Sequence, residues 1–292
     1  MFRGTFTALV TPFRNNRIDE AALGQLIEFQ IENGITGIVP VGTTGESPTL
    51  DHDEHIRVIE LAVKFARGRA KIIGGTGSNS TAEAIELTQE AEKVGADAAL
   101  LVAPYYNKPS QEGLFRHFKA IAAATKFPLI LYSIPGRCGI EIAVDTAVRL
   151  ARECPNIVSI KEAGGNVERV SQLRAALPPA FSILSGDDGL TLPFMSVGAE
   201  GVISVASNII PREMVRMVAA FTEGRPAEAR ELHAHFYPLF RDLFIETNPI
   251  PIKTALSLAG RITGEFRLPL CEMSPANTAK LLATLRNLNL VK

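Results

Sequence analysis

Short apolar runs alternate with amphipathic helical stretches about eight times along roughly the first 224 residues of this chain. The runs read TALV, GIVPVG, KIIGG, DAALLV, FPLILYS, NIVSIK, FSILS and GVIS. They are apolar almost throughout rather than at every second position, the pattern of strands covered on both faces by helices. Strict strand–helix alternation requires crossover connections and therefore parallel pairing. Eight such units in this length fit a closed (β/α)8 barrel, the TIM-barrel α/β architecture. An open doubly wound sheet is the alternative, but it carries a glycine-rich phosphate loop after its first strand; here TPFRNN follows.

Helix boundaries are written in cap residues. Asp19 precedes EAALGQLIEFQIE with Gly34 beyond it, Ser80 or Thr81 opens a helix that Gly95 stops, and Gly68 ends the helix begun in DHDEH. After Gly224 the strand pattern ceases, and residues 225–292 hold helical patterns only. The chain thus divides into a catalytic barrel, 1–224, and a C-terminal helical extension of about three helices, 225–292.

Several function classes are disfavoured by composition. The net charge is −1 and no basic block occurs, so the footprint of a nucleic-acid binder is missing. No run approaches the roughly 18 apolar residues of a membrane span, and the start has no secretory leader pattern. A cytoplasmic protein is expected. Cys138, Cys154 and Cys271 are dispersed and odd in number, which suggests neither a disulfide framework nor a zinc site.

Chemistry in such a barrel sits at the C-terminal ends of the strands. The second run ends in GTTGE, the fourth in PYYNKP with Tyr105 and Tyr106, and the fifth in YSIPGR with Tyr132 and Arg137. The sixth ends in Lys161 and the seventh in SGDD. A lone strand-end lysine is ordinarily solvated, but here hydroxyls, phenols and an arginine converge on the same rim. Burial there lowers a lysine pKa, and the neutral amine attacks carbonyls to form a Schiff base. Bringing it from about 10.4 to 7–8 requires on the order of 4 kcal/mol of differential interaction. Other polar residues read more simply. His52 and His55 lie at i, i+3 without an obvious third metal ligand, so no metal site is expected. His117, His233 and His235 read as helix-surface residues, and Asp187 and Asp188 as caps of the following helix.

GTTGES, PYYNKPSQEG, YSIPGR, IKEAGGN and NPIPIK, in that order and spacing, resemble the dihydrodipicolinate synthase family of pyruvate-dependent class I aldolases. The resemblance spans essentially the whole chain. It implies a (β/α) barrel whose sixth-strand lysine, here Lys161, condenses with pyruvate. It implies that Tyr132 exchanges protons in a relay with Thr43 and Tyr106, the latter reaching in from a neighbouring subunit. Thr43 and Thr44 would hold the pyruvate carboxylate, with Gly186 and Ile203 lining its pocket. Arg137 would receive the carboxylate of L-aspartate-4-semialdehyde. The product would enter lysine and diaminopimelate synthesis, with no metal or organic cofactor. The resemblance also implies a homotetramer, a dimer of dimers, and an L-lysine effector pocket at Ser47, His52, His55, Asn79, Glu83 and Tyr105. Ser133, Cys138 and Gly164 depart from the family's usual asparagine and threonines, and Pro48 stands where alanine is common; these departures bear on substrate positioning more than on reaction class. Sister aldolases acting on sugar acids share the lysine and tyrosine, but Arg137 suits an aldehyde that carries a carboxylate. A barrel that merely binds a small acid would need no nucleophile.

Overall fold

The structure, a computed structural model, describes residues 2–292. Its centre is a closed barrel of eight strands. These are β1 Gly4–Ala8, β2 Gly37–Val39, β3 Lys71–Gly75, β4 Ala98–Val102, β5 Leu129–Ser133, β6 Ile157–Glu162, β7 Ser182–Ser185 and β8 Gly201–Ser204. Every neighbouring pair is parallel, and β1 pairs with β8 to close the ring. Helices follow in turn: α1 Glu20–Glu32, α2 His52–Ala66, α3 Thr81–Lys93, α4 Gln111–Ala123, α5 Val144–Glu153, α6 Val167–Ala176, α7 Thr191–Ser196 and α8 Pro211–Thr222. The (β/α)8 barrel expected from the alternation is the fold observed.

The two periodic faces of the strands explain the continuous apolar runs. Phe6, Val39, Ile73, Leu100, Ile130, Leu184 and Ile203 pack inside the barrel. Ile38, Ile72, Leu101, Leu131, Ile160, Ile183 and Val202 face the helices. Alternate residues of a strand point to opposite faces, and both faces here are dry.

Caps stop and start the helices where the sequence places them. Asp19 accepts from the Ala22 N–H and Ser80 from the Glu83 N–H. Asp51 forms a capping box with Glu54 at the head of α2. The β2 run is shorter than its apolar stretch, because Pro40 has no N–H to continue the ladder.

Three features lay outside the periodic reading. Phe13–Arg14 and Arg17–Ile18 form a small hairpin whose turn residues, Asn15 and Asn16, have φ of 53° and 58°; asparagine tolerates that left-handed region. A single helical turn, Pro135–Cys138, follows β5. His117 is buried, not on the surface, and its Nδ1 lies 2.9 Å from the Thr81 hydroxyl. It shares the face of α4 that carries Leu114, Phe118 and Ile121. His233 is half-buried and His235 exposed.

Three helices complete the chain: α9 Pro226–Asp242, α10 Ile250–Leu258 and α11 Pro275–Asn287. Thr284 of α11 donates to Asp242 of α9 at 2.7 Å. The segment entering α10 reaches back to the barrel mouth, as described next. Among the described residues, no helix is long and apolar enough to cross a membrane.

Candidate active site

Lys161 is the last residue but one of β6, in register with Tyr132 on β5 and Leu184 on β7. Its side chain points into the barrel mouth and is 6% exposed. Nζ lies 4.1 Å from the centre of the Tyr132 ring. Among the described residues it makes neither a hydrogen bond nor an ion pair. Burial, aided by the nearby Arg137 charge and opposed by the Asp188 carboxyl, pushes its pKa down to about 7. Gly186 makes room for the stem: a Cβ there would sit 3.0 Å from Lys161 Cε and 2.7 Å from Ala163 Cβ. Ile203 packs beside Tyr132 and Leu184 in the interior cluster.

A neutral amine is the nucleophilic form of a lysine, so any condensation of Lys161 with a ketone should quicken as pH rises through about 7 and level off above it. About a tenth of the amine is neutral at pH 6 and about nine-tenths at pH 8. A single-turnover rate of adduct formation that is flat from pH 6 to 8.5 contradicts this reading.

Tyr132 is buried, and desolvation raises its phenol pKa above the usual range; the Arg137 charge and the nearby Thr43 hydroxyl pull the other way. The phenol therefore holds its proton at neutral pH. Thr43 and Thr44 sit in a tight loop. Gly45 and Glu46 donate to the Gly42 and Thr43 carbonyls at 3.0 and 3.1 Å, and Thr11 donates to the Gly45 carbonyl at 2.7 Å. Val41 and Glu46 both adopt left-handed backbone, with φ of 49° and 55°. That conformation is uncommon for a β-branched residue and strains it. Gly45 is required, since a Cβ would lie 2.8 Å from the Val41 nitrogen.

The loop is pinned from the tail. Asn248 Nδ2 donates to Thr44 Oγ1 at 3.0 Å. Lys253 forms a fully buried ion pair with Glu46, and its Nζ stands 4.4 Å from the Phe13 ring centre and 5.0 Å from that of Phe266. Arg137, on the helical turn after β5, donates to the Asn248 carbonyl at 2.9 Å.

Asp187 does not cap α7 as expected: it accepts from the N–H of Leu190, the N-cap residue, at 3.1 Å, and α7 has no side-chain cap. Nor does Asp188. It turns inward, 1% exposed, and Oδ2 accepts from the Val205 and Ala206 N–H groups at 3.0 and 2.8 Å. Burial pushes its pKa up to about 6, and its charge acts on Lys161. A second aspartate beside the first in SGDD was the only trace of this in the sequence.

A hollow of about 480 Å³ opens from the mouth. Thr43, Tyr132 and Arg137 line one part, and Ser47, His52, His55, Glu83 and Tyr105 another. Asn79 stands outside it, donating to the Tyr105 carbonyl at 3.2 Å. The two histidines diverge. His55 is buried against the Gly75 carbonyl at 2.7 Å, and burial lowers its pKa. His52 points outward to Glu90 at 3.1 Å. α3 supplies carboxylate neighbours that the sequence reading lacked: donor atoms of His52, Glu86 and Glu90 lie within 4.8 Å of one another, on the surface. Tyr106 is not in the hollow; it is 91% exposed, with φ of 71°.

The Dihydrodipicolinate synthetase family matches residues 1–288. The 4-hydroxy-tetrahydrodipicolinate synthase of Aquifex aeolicus (strain VF5) is 54% identical over 290 residues, 99% of each chain. The solved 4-hydroxy-tetrahydrodipicolinate synthase of Methylacidiphilum fumariolicum SolV superposes with a TM-score of 0.98 at 61% identity, covering 99% of this chain and 96% of that one. A dihydrodipicolinate synthase structure from Cyanidioschyzon merolae with lysine bound gives 0.97 at 43% identity, covering 99% of each chain. Similarity of this extent leaves no part of the barrel or the tail without a counterpart, and the chain belongs to the dihydrodipicolinate synthetase family.

Proposed function

We propose that the chain catalyses the 4-hydroxy-tetrahydrodipicolinate synthase reaction, condensing pyruvate with L-aspartate-4-semialdehyde on the route to diaminopimelate and lysine. The observation that carries the reading is Lys161: an amine buried in the barrel mouth, held near neutrality and stacked on a phenol.

The lysine amine adds to the ketone of pyruvate, Tyr132 supplies the proton that lets water leave, and a cationic Schiff base results. The iminium is the electron sink, so the methyl carbon gives up a proton to become an enamine. The enamine carbon attacks the aldehyde, and Tyr132 protonates the oxygen that forms. The substrate amine then displaces Lys161 from the imine carbon and closes the ring. The net change is loss of one water. No step calls for a metal or an organic cofactor.

Thr43 and Thr44 offer hydroxyl and backbone donors to the pyruvate carboxylate. Arg137 offers a guanidinium fork to the carboxylate of the aldehyde, a bidentate match. We assign the solvent-facing Tyr106 to the relay of a neighbouring subunit within a homotetramer in the cytoplasm. The part of the hollow at Ser47, His55 and Glu83 we assign to L-lysine as a feedback inhibitor, in keeping with the lysine-bound relative from Cyanidioschyzon merolae.

The test is turnover. Pyruvate with L-aspartate-4-semialdehyde should give the cyclic product, while 2-keto-3-deoxy sugar acids should not be cleaved; the reverse result would reassign the chain to a sister aldolase. Adding millimolar L-lysine should lower the rate, and an unchanged rate at saturation removes the effector assignment alone.

A further inference from the structure

Asn248 belongs to the tail, yet it touches side chains on two separate barrel loops. It is 5% exposed, and its Nδ2 donates to Thr44 Oγ1 at 3.0 Å. Its backbone carbonyl accepts from Arg137 Nη2 at 2.9 Å. Its Oδ1 is buried with no partner. A hydroxyl has one proton and two lone pairs. The amide occupies a lone pair of Thr44, and among the described residues no protein group accepts the Thr44 proton. That proton is left for an acceptor in the mouth. Turned the other way, the amide oxygen would capture it, and Thr44 would present lone pairs to an incoming anion.

We propose that Asn248 is a positioning residue: its amide, seated on Thr44 Oγ1, commits the Thr44 hydroxyl to donate to the pyruvate carboxylate. This rests on the assignment of Thr44 to pyruvate made above. It adds that the donor's orientation is set from the tail, by a residue with no substrate contact of its own.

The test measures kcat and KM for both substrates in N248A, T44V and the double variant, all in the full-length chain. N248A should raise the KM for pyruvate about 5–10-fold, the worth of one hydrogen bond. The KM for the aldehyde should move less than about twofold, because Arg137 bonds the backbone carbonyl that alanine retains. In the T44V background, N248A should add less than about twofold, since coupled residues are not additive. The proposal falls if N248A leaves the pyruvate KM unchanged, if both KM values rise together, or if N248A has its full effect in T44V. Should N248A not fold, N248D takes its place: ionised, it has only acceptors and should raise the pyruvate KM. No rise overturns the proposal, and so does a rise that persists in T44V, which would be charge repulsion alone. T44V with an unaltered pyruvate KM would instead overturn the assignment of Thr44 itself, an outcome distinct from an impaired T44V beside an unaffected N248A.

Discussion

Lys161→Met should reduce turnover by on the order of 10³-fold or more, about 4 kcal/mol in activation free energy, and abolish the pyruvyl adduct that borohydride should trap in the wild type. Without the amine there is no iminium, and without the iminium the methyl proton of pyruvate stays near the acidity of an ordinary ketone. The fold should not suffer. Methionine matches the lysine stem in length and carries no charge into a site that is 6% exposed. The wild-type lysine, with its pKa lowered to about 7, binds fewer protons folded than unfolded between that value and its ordinary one near 10.4. Its penalty on stability is therefore greatest below about pH 7 and fades as pH rises toward 10.4. K161M removes that penalty, so its Tm at pH 7 should equal or exceed that of the wild type, as expected where a site trades stability for activity. Intact-protein mass spectrometry after borohydride reduction, with calorimetry on the same sample, reads both. A trapped adduct in K161M would place the nucleophile elsewhere. A melting point lowered by more than about 5 °C would attribute the lost turnover to the fold.

Lys253→Met should be the most destabilising of the substitutions considered. Lys253 and Glu46 are each completely buried and pair across the junction of barrel and tail. Burial lowers the Lys253 pKa while Glu46 holds it up. Removing one member of such a pair leaves an uncompensated charge in the interior, at a cost of about 3–5 kcal/mol. For a chain of this size that amounts to a fall in Tm of roughly 6–10 °C. The double variant E46Q/K253M should recover much of it, because no charge is stranded. The single variant should also raise the KM for pyruvate, since Glu46 fixes the loop that presents Thr43 and Thr44. A K253M protein that melts within about 2 °C of the wild type would show that water reaches the pair.

The parts of the molecule set by local pattern were open to sequence reasoning. Runs such as LILYS and IVSIK are apolar on both faces, which suffices for a parallel barrel, and Asp19 and Ser80 cap the helices that follow them. Counting strands was enough to place Lys161 beside Tyr132. What stayed hidden depends on distant partners. Lys253 reads as an ordinary tail lysine until Glu46, 207 positions away, is seen beside it. NPIPIK was visible as a motif, but nothing in its residues says that Asn248 meets Thr44. Asp188 resembles a second capping residue, and only the turn at Val205 and Ala206 draws it inward. His117 looks like a helix-surface residue by type alone, although the apolar spacing of Leu114, Phe118 and Ile121 around it points the other way.

The pinning of the GTTGE loop by the tail also has a timetable. The loop and its two tail partners are 204 and 207 residues apart. At about 5–20 residues per second of synthesis, Glu46 precedes Lys253 from the ribosome by roughly 10–40 s. Through that interval the remaining six strands of the barrel, β3 to β8, are made in turn, yet the loop that presents the two threonines still lacks its two tail partners. A nascent chain of this kind acquires its shape before its chemistry, and a segment made after the whole barrel is the one that completes the mouth.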